Sequence, residues 1–221
     1  MKCVIVASTG GSVMNELLKN VFFKNCVFMV VSDRDCPAME KARRQGVPTL
    51  LIPERKNLTF SSHLIDFLSE HKVDYVISFF TRLFAEDLVA QYRERIINLH
   101  PSLLPAFKGL DGFGDTVRYG ARYVGSTVHF IDDNIDEGKI ILQTAYPLDP
   151  GKSLDEIRHR VFQQQCKSLL QVIRWLYEGR IQVQGSRVTV SGAAYTDFEY
   201  SPGLDFEDAL ELNIPFRGSS L

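Results

Sequence analysis

An asparagine and a histidine two residues apart, running into a loop that holds two prolines, are the first residues here whose types and spacing could do chemistry. They stand in Ile96-Ile97-Asn98-Leu99-His100-Pro101-Ser102-Leu103-Leu104-Pro105. The apolar start predicts a strand. Alternate strand residues share a face, so Asn98 and His100 can converge on one site, and the prolines stiffen the loop beyond them. The competing reading is a strand-end histidine hydrogen-bonded in the core, the common fate of buried polar groups. A second cluster, Asp132-Asp133-Asn134-Ile135-Asp136-Glu137-Gly138, lies between two apolar stretches. It reads either as a solvated acidic loop or as part of a site. A calcium loop is a poor fit, because the EF-hand spacing of ligands and the terminal glutamate are absent. His129, within Thr127–Phe130, is either a packed strand residue or a group supporting a site from behind. The third feature is Ser8-Thr9-Gly10-Gly11-Ser12. Glycines there let backbone N–H groups approach an anion beside a helix N-terminus. The pattern is neither GxGxxG nor a Walker A loop, and a tight turn needs glycine whether or not it binds anything.

The elements that must position these residues alternate between strand and helix. Lys2–Ala7 is an unbroken apolar run, as in a strand buried on both faces. A helix carrying Val13, Leu17, Leu18, Val21 and Phe22 follows, then strand Val27–Val31. A helix from Pro37 to Gly46 has both start and stop signals. Strand Thr49–Ile52, helix Ser62–His71, strand Tyr75–Phe80, a helix near Glu86–Tyr92 and strand Ile96–Leu99 complete the first half. This alternation predicts an α/β fold, a doubly wound and mostly parallel sheet with helices on both faces. Ligands in such sheets bind beyond the carboxyl ends of the strands, which points to Ser8–Ser12, Phe79–Phe84 and Asn98–Gly109. Further on, Ser126–Ile131 and Lys139–Ala145 are strands flanking the acidic segment. Ser153-Leu154-Asp155-Glu156 is a capping box opening a long helix that ends at Gly179. Ile181–Val183 and Val188–Ser191 form a hairpin about Gly185-Ser186. The expected organisation is one domain over 1–194, divided into halves 1–95 and 96–194. The tail 195–221 is unassigned, and its Phe198, Tyr200, Phe206 and Phe216 make it too apolar for a disordered spacer.

Composition narrows the partners. The 221 residues carry 25 basic and 27 acidic side chains, a net charge of −2. Nucleic acid or an anionic membrane would call for a basic excess, so neither is expected as a partner. No apolar run approaches the roughly 18–20 residues of a membrane span, and the N-terminus turns polar too early for a signal peptide. Cys3, Cys26, Cys36 and Cys166 match no zinc or CxxC spacing. They read as small buried hydrophobes in a reducing compartment, without a disulfide or a cysteine nucleophile, and the expected location is the cytoplasm.

Three strings together resemble a known family. Ile97 to Pro105, Gly125-Ser126-Thr127-Val128-His129-Phe130, and Asp136-Glu137-Gly138-Lys139-Ile140-Ile141-Leu142-Gln143 are similar to the formyltransferases that use 10-formyltetrahydrofolate. The resemblance runs over roughly residues 1–190 and is nearest to the glycinamide ribonucleotide branch of purine synthesis. It implies formyl transfer from 10-formyltetrahydrofolate, as co-substrate and without a metal, to a primary amine, in first place glycinamide ribonucleotide. It also implies a catalytic trio of Asn98, His100 and Asp136. Asn98 would donate to the developing oxyanion, worth about 10²–10³ in rate. His100 would stabilise the oxyanion and relay protons to the departing folate nitrogen, worth roughly 10²–10⁴. Asp136 would orient the imidazole, favour its charged form and position a water. By the same resemblance Arg82, Leu83 and Phe84, with Ile131, Asp132 and Asp136, would line the folate pocket alongside Asn98, largely through backbone groups. Gly10, Gly11 and Ser12 would hold the phosphate of a small phosphorylated amine, and Gln165 would face its amino group, in a monomer or homodimer.

The chain departs from the family pattern on the acceptor side. The phosphate loop usually reads Ser-Gly-x-Gly-Ser-Asn; here Val13 stands in the last place. Asp111-Gly112-Phe113 replaces a His-x-His, and Gln165 replaces a glutamate, removing a charge-assisted partner for a cationic amine. Other acceptors, such as a nucleotide-linked amino sugar, therefore stay open. So does hydrolysis of the folate by water, although those hydrolases carry an N-terminal regulatory domain and the first strand here begins at Lys2. A dinucleotide oxidoreductase is disfavoured by the missing GxGxxG.

Overall fold

The computed structural model describes residues 1–216, and the end of the tail lies outside them. The chain divides into two compact units, Met1–Asn98 with Phe130–Gly138, and Leu99–His129 with the segment from Lys139 on.

The first unit is built on β1 (Cys3–Ala7), β2 (Val27–Ser32), β3 (Thr49–Leu51), β4 (Tyr75–Phe79) and the start of β5 (Ile96–His100). These run parallel in the order β5-β4-β1-β2-β3. All five residues of β1 are buried, because the strand has a parallel neighbour on each side. Such a strand needs an unbroken apolar run, which Cys3–Ala7 supplies. Five helices connect the strands: α1 (Ser12–Leu17), α2 (Val21–Cys26), α3 (Pro37–Arg44), α4 (Asn57–Glu70) and α5 (Glu86–Gln91). Val4, Val6, Val31, Phe60, Leu64, Leu68, Val76, Leu88 and Ile96 pack into one core cluster. The single helix expected across Val13–Phe22 is in fact two. Asn20 breaks it by accepting from the Phe23 N–H at 2.9 Å, so an N-cap restarts the helix at Val21. Helix α4 begins five residues before the expected Ser62.

In the second unit β6 (Tyr123–Phe130) pairs antiparallel with β7 (Ile140–Pro147), and β7 in turn with β10 (Tyr200–Ser201). Gly120 in the left-handed region ends α6 (Gly112–Tyr119), a helix the sequence reading did not expect. Helix α7 (Leu154–Tyr177) opens on the capping box formed by Ser153 and Glu156. At its other end Gly179, at φ +66°, lets its own N–H reach the Leu176 carbonyl and the Arg180 N–H the Trp175 carbonyl. The hairpin of β8 (Ile181–Gln184) and β9 (Arg187–Val190) follows.

The tail docks on α7. Glu199 accepts twice from Arg160, at 2.5 and 2.7 Å, and once from Gln164 at 2.9 Å. Asp205 accepts from Gln171, Trp175 and Arg180. After α8 (Glu207–Glu211), the Ile214 carbonyl accepts from His159 and Gln163. No helix among the described residues is long and apolar enough to cross a membrane.

Candidate active site

Two of the three turns singled out at carboxyl strand ends belong wholly to the first unit. After β1, the Ser8 hydroxyl accepts from the Thr81 N–H at 3.0 Å and lies 2.9 Å from the Thr81 hydroxyl, tying this turn to the one after β4. Gly11 adopts φ +60°, and a Cβ there would come within 2.7 Å of the Ala38 Cβ. The Ala38 N–H donates to the Thr9 carbonyl, and Lys41 Nζ donates to the Gly10 carbonyl at 2.7 Å. Close docking of α3 thus explains the glycine at 11. A Cβ at Gly10 would meet nothing within 4 Å. Ser12 opens α1, and Val13, in the place of the family's asparagine, is buried in it.

The turn after β4 holds Arg82, Leu83 and Phe84. The Arg82 guanidinium donates to Asp33 (2.7 Å), to the carbonyls of Glu54 (2.8 Å) and Arg55 (2.6 Å), and to Asn57 (2.9 Å). Burial pushes the Asp33 carboxyl up. The hydrogen bonds and charges of Arg34 and Arg82 outweigh it and hold the group below the ordinary carboxylate range. Phe84 stacks on Phe80, which stacks on Phe60, with centroids 5.3 and 4.8 Å apart. Leu83 is exposed. The Arg82 side chain is thus fully engaged within the first unit.

Asn98 pairs in register with Ser78 of β4 and is half-buried. The acidic segment begins with the Ile131 N–H donating to the Ile96 carbonyl at 2.8 Å. Arg93 takes up Asp132 at 3.3 Å and Asp133 at 3.1 Å. Asp136 is half-buried with φ +53°, and a Cβ at Gly138 would collide with the Phe130 carbonyl. The segment is therefore a folded turn rather than a loose charged loop. Among the described residues no cluster of three histidine, cysteine, aspartate or glutamate side chains could hold a metal.

In the second unit His100 is buried, and its Nε2 lies 2.8 Å from the Phe107 carbonyl. The proline loop is braced by two residues whose part the sequence reading missed. The Thr127 hydroxyl donates to the Ser102 carbonyl (2.8 Å) and accepts from the Leu104 N–H (3.1 Å), while Gln143 donates to the Leu104 carbonyl (2.8 Å). Strand alternation carried the available signal, since these polar side chains sit within apolar strands. Asp111 caps α6 by accepting from the Gly114 N–H and pairs with Arg118, which holds its carboxyl below the ordinary range. Gln165 is half-buried on α7 between the fully buried Gln164 and Cys166. His129 is buried in β6. The four cysteines are buried and form no disulfide, and burial pushes the Cys3 thiol up.

A largely parallel sheet with turns braced at its carboxyl ends defines the class, an α/β protein with polar residues at strand termini. The chain belongs to the formyl transferase family, whose model matches residues 1–173. Phosphoribosylglycinamide formyltransferase of Bacillus subtilis is 30% identical over 79% of this chain and 94% of its own. The chloroplastic phosphoribosylglycinamide formyltransferase of Arabidopsis thaliana is 34% identical over 71% of this chain, which spans only 57% of that longer protein. The crystal structure of glycinamide ribonucleotide transformylase 1 from Symbiobacterium toebii superposes with a TM-score of 0.78 at 32% identity. It covers 86% of this chain and 93% of its own.

Proposed function

We propose that this chain transfers the formyl group of 10-formyltetrahydrofolate to the primary amine of a small phosphorylated acceptor, glycinamide ribonucleotide in the first instance. The observation that carries the reading is the Asn98-Leu99-His100 segment at the end of a parallel strand, in a chain of the formyl transferase family. In the mechanism the acceptor nitrogen attacks the formyl carbon and its carbonyl oxygen becomes an oxyanion. Asn98 donates to that oxygen. His100 takes the proton that the amine must lose and returns it to N10 as the carbon–N10 bond breaks, leaving tetrahydrofolate and the formylated amine. Asp136 favours the charged imidazole that exists between those steps.

The turns at Arg82-Leu83-Phe84 and Ile131–Asp136 are assigned to the folate, because each is held rigidly by its own side chains and leaves backbone groups for a ligand. Gly10, Gly11, Ser12 and Gln165 are assigned to the acceptor, on the family pattern. We place the reaction in the cytoplasm, a reducing compartment that suits four buried cysteines not joined in disulfides.

The test is incubation with 10-formyltetrahydrofolate alone and then with glycinamide ribonucleotide. Tetrahydrofolate should appear only when the ribonucleotide is present. Turnover without any amine would instead mark a hydrolase, and no turnover in either case would remove the ribonucleotide as acceptor. His100→Ala and Asp136→Ala should each lower turnover by about 10²-fold or more while the protein stays folded. Near-normal activity in either would sink the mechanism.

A further inference from the structure

We propose that Glu199, in the tail, is a positioning residue for formyl transfer: it holds β10 against β7, and β7 through Gln143 holds the loop that follows His100. This deepens the reading of His100 as the proton carrier and rests on it. Glu199 lies past residue 173, where the match to the family model ends.

Every link is a hydrogen bond within the second unit. The Glu199 carboxylate accepts from Arg160 and Gln164 of α7, and such bonds to a charged group are the strong ones. Gln164 is fully buried, where a hydrogen bond is stronger than in water. The N–H groups of Glu199 and Tyr200 both donate to Asp197, at 2.6 and 3.0 Å, and fix the chain as it enters β10. The Glu199 carbonyl then accepts from the Ala145 N–H at 2.9 Å, while Tyr200 pairs with Thr144 and Ser201 with Gln143. Because β10 is the outermost strand, its release would leave β7 as an edge, with residues 143 to 145 open to water and free to fray. Gln143 reaches the other way. Its side-chain amide donates to the Leu104 carbonyl at 2.8 Å and to the Thr127 hydroxyl at 3.1 Å. Leu104 belongs to the loop that starts after His100 and returns to it, bringing the Phe107 carbonyl 2.8 Å from His100 Nε2. A shift of β7 at Gln143 therefore moves the frame in which the imidazole sits. Misplacing a reacting group by about 1 Å costs about 10²-fold in rate, and a strand that frays only part of the time costs less.

Amide hydrogen exchange, read residue by residue by NMR on the full chain, tests the links. In Glu199→Ala the Ala145 N–H, bonded to the tail, and the Leu104 N–H, bonded to Thr127, should both exchange about 10-fold faster. Faster exchange at Ala145 alone would overturn the proposal, and so would no change at Ala145. The same variant should lower kcat by about 10-fold and leave KM for the folate within about 2-fold. A normal kcat would also overturn it. Glu199→Gln keeps the size and loses the charge. It should give the same pattern at about 3-fold, and it decides the question if Glu199→Ala does not fold. Asp205→Ala separates positioning from stability, because it loosens the tail beyond β10. It should lower the urea midpoint while Leu104 exchange and kcat stay within about 2-fold of wild type. An equal loss of kcat there would reduce the role of Glu199 to stability alone. The exchange measurements need no substrate, so they decide the coupling of tail to loop even if formyl transfer itself fails.

Discussion

Gly10 and Gly11 are neighbours under unequal constraint. Gly11 combines a left-handed backbone with the close approach of Ala38, whereas Gly10 has open space around a missing side chain. Gly11→Ala should therefore destabilise the protein by about 2 kcal/mol, the sum of backbone strain and overpacking. Gly10→Ala should be near neutral, and urea denaturation of the two variants compares them. Equal effects would contradict the α3 docking argument. At this scale the place of Asn98 and His100 at the end of a strand was legible from the sequence, because the apolar run before them marks β5. The Arg82 clamp was not. Its partners Asp33, Glu54, Arg55 and Asn57 are 25 to 49 residues away, and no local pattern announces them.

Helix α7 shows both sides of what can be read from a sequence. Its capping box and terminal glycine are local chemistry, so both ends were legible to within a residue or two. Helix α6 was missed because glycines stand at 112 and 114 and few apolar residues mark its buried face. The tail was left unassigned for a different reason. Strand β10 has two residues, too few for a period, and Glu199, Asp205 and Ile214 of the tail are held by polar side chains of α7 and by Arg180. Asp205 is one of its anchors, beside Glu199. Asp205→Ala would strip partners from Gln171, the Trp175 indole and Arg180, and should destabilise the second unit by about 2 kcal/mol, discounted because the carboxylate is one-third exposed. Trp175 is the sole tryptophan, so its fluorescence in urea reports this directly. An unshifted midpoint would show that the tail is held elsewhere.

Across the whole molecule, acid should be the weakness. Asp33 in the first unit and Asp205 in the second both lie below the ordinary value of 3.8 when folded. In each case burial pushes the carboxyl up, and the partners outweigh it: Arg34 and Arg82 for Asp33, Arg180 and Trp175 for Asp205. A group depressed on folding contributes stability that is complete above its unfolded pKa and is lost as pH falls through the folded one. The urea midpoint should therefore change little on this account between pH 7 and 5 and drop below about pH 4, where these carboxylates take up protons. A midpoint that rises on acidification from pH 5 to 3 would refute this.

The path of the chain has one more consequence. The first unit is discontinuous: Phe130–Gly138, with Asp136 in it, belongs to that unit but is encoded after thirty-one residues of the other, Leu99–His129. During synthesis the strands of the first unit exist before the turn that completes it. At about 5–20 residues per second, the forty residues from Leu99 to Gly138 take roughly 2–8 s to translate. For that interval the nascent chain carries Asn98 without Asp136. The proposed chemistry is therefore out of reach of any growing chain that has not passed Asp136, however well its first five strands have formed.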